Sequence, residues 1–298
     1  MQISEILVFL KNEGIPYTFC GNEAENVECF SSLVHYKPGT FTWVKKQETI
    51  PGGFDLSSIV LAFVSENVEG NFQNVIRTSE SKRAFFSTIE HFYVEDKEQP
   101  AIGQYTYISP KVKLGKNVRI GHNCTLDGDI TIGDGTVIWN NVSILNHVTI
   151  GKNCDIHSGA VIGHDGFGYT EDISHKKTMV KHCGGVVIGD DVLISDNVCI
   201  ARGTIDDTVL GDGVKIDNLC HIAHNCILED NVALAGPCTL AGSVHIHKNG
   251  YLGAAAIRNQ ICIGEDAFVG YGAIVVKDVA PGQTVVGNPA KPFVRKKE

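Results

Sequence analysis

From residue 102 to residue 162 an Ile or Leu stands at every sixth position without a miss: 102, 108, 114, 120, 126, 132, 138, 144, 150, 156 and 162. Four residues after most of them comes a small or β-branched residue, such as Thr106, Val112, Cys124, Thr136 or Ala160, and Gly, Asn and Asp fill the steps between. A helix cannot keep such a set on one face, because its 3.6-residue turn spreads a strict period of six around all sides. The pattern predicts a solenoid of very short strands. One aliphatic per repeat fills the interior, the small residue packs beside it, and Gly or Asn takes the tight corner. The repeat breaks over 163–187 and resumes at 188, 194 and 200. After two five-residue steps (205, 210) it runs through 216, 222, 228, 234, 240, 246 and 252, then 257, 263, 269 and 275.

This period resembles that of hexapeptide-repeat proteins, in which three repeats make one coil of a left-handed parallel β-helix. The hand is what the resemblance implies, since the usual rule for parallel crossovers gives a right-handed connection. The prism is expected over 101–280, with an insertion at 163–187 and a C-terminal tail at 281–298. The first hundred residues lack the period and read as a small α/β domain. Helices are expected over 2–12, with Ile3, Ile6, Leu7 and Leu10 on one face, and over 79–91, with Ser79 or Ser81 as N-cap. Strands are expected at 17–20, 40–44 and 58–64. A polar linker, 96–100, closes the domain.

Composition narrows the function classes. The net charge of -9 argues against a nucleic-acid binder. No apolar run is long enough for a membrane span, and the first residues do not read as a signal peptide, so a cytoplasmic chain is expected. Five of the ten cysteines (Cys124, Cys154, Cys220, Cys226 and Cys238) occupy the small-residue position of their repeat and read as core fillers. There is no C-x-x-C pair, and no two histidines are five apart, so no metal site is expected.

Candidate chemistry lies on outward corner positions. Counting three repeats per coil stacks the units that begin at 188, 205, 222, 240 and 257. Their third residues then put Asp207, His224, Gly242 and Asn259 in one column, about 4.8 Å apart per rung, with Gln260 beside it. A histidine with a carboxylate on one side and open glycine backbone on the other suits a general base next to an oxyanion site. The insertion adds His164-Asp165-Gly166-Phe167-Gly168-Tyr169, and an excursion of this size from a regular solenoid is more often functional than idle.

That insertion motif, Arg202-Gly-Thr-Ile-Asp-Asp-Thr208 and Ile216-Asp-Asn-Leu-Cys-His-Ile-Ala-His-Asn225 resemble the UDP-3-O-acylglucosamine N-acyltransferases of lipid A biosynthesis. The resemblance implies a homotrimer with sites between neighbouring prisms and a first domain that holds the nucleotide of a nucleotide-linked amino sugar. It implies a catalytic base at His224 and an oxyanion amide at or next to Gly242, and the counted column makes Asp207 the group that orients the base. His164, Phe167, Tyr169, Asn259 and Gln260 would line the acceptor side. Phe41, and Trp43 two residues on, would stack on the base.

Three departures shape the expected substrate. Gln260 stands where the family has a second histidine, and Val44 and Gln47 replace its Asn and Tyr. The ending Val275 to Lys291 is similar to that of coenzyme A-dependent acetyltransferases. The reading is therefore N-acyl transfer from acyl-CoA, a co-substrate and no tightly bound cofactor, to a dTDP- or UDP-linked amino-deoxyhexose. Gly253, Ala255 and Ala273 would keep a flat surface for the pantetheine arm, with Lys277, Lys291 and Arg295 for its phosphates. An acidic acyl carrier protein is the less favoured donor for so acidic a chain. The alternatives are the lipid A enzyme itself, with that carrier protein, and an inactive trimeric scaffold.

Overall fold

The computed structural model describes residues 1–94 and 100–292. The chain divides into two compact units, Met1–Lys97 and Glu98–Glu298.

In the first unit the helix α1 (Ile3–Asn12) buries Ile3, Ile6, Leu7 and Leu10 and ends ahead of Gly14, whose φ is +66°. The strands are β1 (Thr18–Cys20), β2 (Cys29–Phe30), β3 (Thr40–Val44), β4 (Leu61–Val64) and β5 (Val75–Arg77), in the sheet order β1-β5-β4-β3-β2. Only β1 runs antiparallel to its neighbour. The pattern missed β2 and β5, which are too short to show a period. The helix α2 (Ser81–Tyr93) lays Ala84 and Phe85 on the sheet. Its cap differs from expectation. Glu80 holds the N-cap position without a side-chain bond, and Ser81 is buried, its hydroxyl accepting from Trp43 Nε1 at 3.1 Å.

In the second unit the sixfold aliphatics form three parallel ladders. One runs through Ile120, Ile138, Ile156, Ile194, Ile216, Leu234, Leu252, Val269 and Val285. A second runs through Leu126, Ile144, Ile162, Ile200, Ile222, Leu240, Ile257 and Val275. The third runs through Ile132, Ile150, Ile188, Leu210, Leu228, Ile246 and Ile263. All of these side chains are buried in a single core, and each full burial contributes about 1.5–3 kcal/mol. The corner is the third residue after each interior aliphatic. Asn117, Asn123, Asn141, Asn153, Asn197, Asn225, Asn231 and Asn249 all take φ between 52° and 60° there, a left-handed conformation that asparagine tolerates better than other side chains.

Two features correct the sequence reading. The steps at 205 and 210 are one ten-residue step, because Ile205 is 82% exposed and Leu210 rather than residue 205 follows Ile188. Residues 202–207 thus bulge outward between Ala201 and Thr208. The stack also continues past 281, since Thr284–Val286 pairs with Phe268–Val269 and Lys291–Pro292 pairs back on it. The insertion carries its own antiparallel hairpin, Tyr169–Glu171 with Lys177–Met179, and Val186–Ile188 rejoins the third ladder beside Val148–Ile150. Among the described residues no helix is long and apolar enough to cross a membrane.

Candidate active site

His224 stands two residues past the buried Ile222, at the edge of a pocket of about 480 Å³. The insertion supplies His164, Asp165, Gly166, Phe167 and Met179, and the ladder supplies Ala201, His221, Ala223, Leu240, Ala241 and Gly242. Most of this lining is apolar, so the pocket can hold a hydrocarbon segment against a few polar groups.

The imidazole is fixed on both faces by the absence of side chains. A Cβ on Gly242 would lie 2.7 Å from Cε1 and 2.8 Å from Nε2 of His224, and one on Gly166 would lie 3.0 Å from its Cβ and Cδ2. The column above His224 is as counted: Leu240 pairs with Ile222 and Ile257 with Leu240, which brings Gly242 and Asn259 over the histidine. Gln260 takes the left-handed corner, φ +61°. Among the described residues the Gly242 N–H makes no hydrogen bond, while its carbonyl accepts from Gln260 N–H at 3.0 Å.

Below His224 the expectation fails. The rung beneath Ile222 is Ile200, so Arg202 starts the bulge where Asp207 was expected. The Asp207 carboxylate instead accepts from Gly185 N–H at 2.6 Å. The partner of His224 is its own neighbour Asn225, whose Oδ1 lies 3.0 Å from Nδ1. The amide orientation follows from the rest of its contacts. Nδ2 donates to the Asp206 carbonyl at 2.9 Å, and Oδ1 also accepts from Thr204 N–H and Oγ1–H at 3.1 and 2.9 Å. Oδ1 can only accept, so Nδ1 of His224 carries the proton and Nε2 keeps its lone pair for the pocket. A neutral amide orients the ring as a carboxylate would, but does less to stabilise an imidazolium.

One further group, His182, came from the fold alone. His182 is 4% exposed and stands edge-on to His224, ring centroids 5.4 Å apart. Its Nδ1 donates to the Val180 carbonyl at 3.0 Å, and its buried Nε2 has no partner. His164 is similar, with Nδ1 donating to the Asp165 carbonyl at 2.9 Å and a buried, unpartnered Nε2. Arg202 is buried and donates from Nε to the Gly184 carbonyl at 2.6 Å, holding the insertion's return strand. Partial desolvation, with the charge of His164 second, holds the His221 imidazole below its usual range, although the residue keeps an exposed face. Asn225 was visible in the sequence as a left-handed corner. Its second role needed the bulge, which no period announces.

The remaining expected residues fall in three groups. Phe167 (79% exposed) and Tyr169 (40%) stand at the insertion's surface, rings 5.6 Å apart. Phe41 is fully buried among Phe30, Phe63, Phe85 and Tyr93, so it is a core residue and cannot stack on a base. Trp43 does reach a cleft, of about 720 Å³, with Lys45, Lys46, Lys82 and Arg83 around it. Gly253, Ala255 and Ala273 are buried and make no outer surface; Gly253 lies beneath Tyr271. Lys277 and Lys291 are exposed, and Arg295 lies outside the described residues.

Residues 129–164 and 207–242 match the bacterial transferase hexapeptide (six repeats) family. A UDP-3-O-acylglucosamine N-acyltransferase of Coxiella burnetii is 50% identical over 93 residues, 31% of this chain and 27% of that protein. One from a Janthinobacterium species is 38% identical over 157 residues, 52% of this chain and 45% of that protein. The matches thus span between about a quarter and a half of the length of these relatives. Among solved structures, the UDP-N-acetylglucosamine O-acyltransferase of Moraxella catarrhalis superimposes with a TM-score of 0.60 at 28% identity, over 65% of this chain and 74% of its own.

Proposed function

We propose that this hexapeptide-repeat chain is an N-acyltransferase that moves an acyl group from a thioester to the amine of a nucleotide-linked amino sugar, working as a homotrimer. The observation that carries the reading is the His224 imidazole. Its Nδ1 proton is committed to Asn225, its Nε2 is bare, and an apolar pocket opens beside the unused Gly242 N–H. The amine attacks the thioester carbonyl, forming the C–N bond. The Gly242 N–H meets the oxyanion, and His224 Nε2 takes the ammonium proton. Collapse breaks the C–S bond, and the thiolate leaves with the proton that His224 returns.

The names of the relatives favour UDP-3-O-acylglucosamine as the acceptor. The Trp43 cleft, where Lys45, Lys46 and Lys82 stand beside an Arg83 paired with Glu80 at 2.7 Å, is the candidate place for a nucleotide diphosphate. A second reading, another nucleotide-linked amino sugar with acyl-CoA as donor, is favoured by Gln260 in place of the histidine of the resembled family. The test presents one acyl group on coenzyme A and on acyl carrier protein, with UDP-3-O-acylglucosamine and a dTDP-4-amino-dideoxyhexose as acceptors, and reads the amide product by mass. His224→Ala should lower turnover roughly 10²-fold or more. Absence of amide from every pair overturns the reading.

A further inference from the structure

A cluster of metal-ligating side chains lies outside the His224 pocket. The strands Ile227–Leu228, His245–Ile246 and Cys262–Ile263 are successive rungs of the third ladder, with Ile227 paired to His245 and His245 to Cys262. Glu229 and His247 each follow the interior aliphatic of their rung, so they meet at one corner, and His245 stands on the outer side of the strand just before. Oε1 of Glu229 lies 2.9 Å from Nε2 of His245 and 2.9 Å from Nδ1 of His247. One donor atom from each of the three residues lies within 4.8 Å of the others. The side chains stay open to solvent, at 36% for each histidine and 31% for Glu229.

We propose that Glu229, His245 and His247 bind a divalent transition-metal ion of the zinc class. Two imidazoles and one carboxylate form a borderline donor set that suits zinc, cobalt, nickel or copper and disfavours magnesium and calcium, which require more oxygen ligands. The separations fit. Ligands about 2.0–2.2 Å from a tetrahedral ion lie about 3.3 Å from one another, so each histidine nitrogen, now 2.9 Å from Glu229 Oε1, needs to open by only a few tenths of an ångström from the carboxylate. The two nitrogens lie within 4.8 Å of each other. Each donor sits on or next to a hydrogen-bonded rung, which gives the set a rigid base.

The surroundings suit the ion as well. The second carboxylate oxygen of Glu229 accepts from Lys248 N–H at 3.1 Å. The far nitrogen of His247 lies 3.2 Å from Cys262 Sγ. As the three side chains stand, each histidine donates a proton from its facing nitrogen to Glu229. An ion needs those lone pairs, so each neutral ring carries its proton on the other nitrogen once the ion is bound. For His247 that places an N–H against the sulfur, the kind of outer contact that fixes a ligating tautomer.

The test uses the full chain, stripped with chelator and titrated calorimetrically with zinc chloride and, for its visible spectrum, with cobalt chloride. The expected result is one ion per chain, a ligand-field band with cobalt, a rise in Tm on adding zinc, and no competition from magnesium. Glu229→Gln and His247→Gln should each weaken binding by about tenfold or more, while His35→Gln, an exposed histidine of the first unit, should leave it unchanged. Circular dichroism of the metal-free variants checks the fold. If a variant unfolds, Cys262→Ala, which removes only the outer contact, should still weaken binding. Stoichiometry and affinity that do not respond to these changes, or no binding by the wild-type chain, overturn the proposal and leave the trio a hydrogen-bonded clasp.

Discussion

Gly242→Ala is the sharpest probe of the His224 pocket. The backbone of Gly242 lies outside the left-handed region, so alanine brings no conformational strain, yet its methyl would sit 2.7 Å from Cε1 and 2.8 Å from Nε2 of the imidazole. Ordinary carbon contacts begin near 3.5 Å, so ring and methyl must part by about 0.8 Å. The ring cannot retreat freely, since its Nδ1 is tied to Asn225 and Gly166 closes on its other side. The lone pair would be turned away from the position that a nucleophile's proton must reach. A misplacement of about 1 Å at a reacting centre can cost 10²-fold, so kcat/KM should fall by about that factor, mostly through kcat. Gly52→Ala, where a Cβ meets nothing within 4 Å and φ is ordinary, is the control and should leave the rate alone. The measurements are steady-state kinetics on the acyl transfer and Tm by calorimetry. A Gly242→Ala enzyme with near-normal kcat and an undisturbed His224 ring resonance would refute the placement of the nucleophile between His224 and Gly242.

Other expectations follow from single contacts. Trp43→Ala should raise the KM for the nucleotide sugar about tenfold or more, as loss of a stacking platform worth about 1–3 kcal/mol would, and leave that for the thioester unchanged; an effect confined to the thioester would move the acceptor elsewhere. Because partial desolvation lowers the folded-state pKa of His221, the unfolded chain takes up its proton first as pH falls. The stability linked to this group is therefore full above the ordinary imidazole value, about 6.5, and lost on acidification toward the lower folded-state value. His221→Gln should flatten the fall of Tm between about pH 8 and pH 5, and an unchanged slope would contradict the assignment. A thiol reagent should label the exposed Cys20, Cys29 and Cys183 promptly. The Cys226 thiol, pushed up to about 11 by burial, should react only on unfolding; prompt labelling there would mean that the interior opens.

The solenoid was legible because each rung spends one interior aliphatic per six residues, and nothing else produces that count. The half of the site above His224 came from the same arithmetic, which places Gly242 and Asn259 correctly. The half below was lost to Ile205, an exposed isoleucine that mimics an interior position and hides the bulge. Local sequence has no sign to tell the two apart; only the ladder partner of Ile188 does. Phe41 misled for a related reason. In Thr40–Val44 Trp43 reaches the Lys45–Arg83 cleft, but β3 lies between β2 and β4 under α2, and that placement encloses Phe41. Asn225 shows how one residue type can satisfy two demands, since the side chain that tolerates the corner also has the carbonyl oxygen that His224 requires.

The ladders make this prism a one-dimensional material. Each coil touches only its immediate neighbours, so stability is set by local interfaces and opening begins at the two ends. His224 closely follows the strand His221–Ile222, which has Ile200 and Ile162 on one side and Leu240, Ile257 and Val275 on the other. Amide protons near Ile222 should therefore outlast those near Ile102 and Val285 in hydrogen exchange. The terminal coils act as sacrificial layers that can breathe while the histidine's rung stays closed.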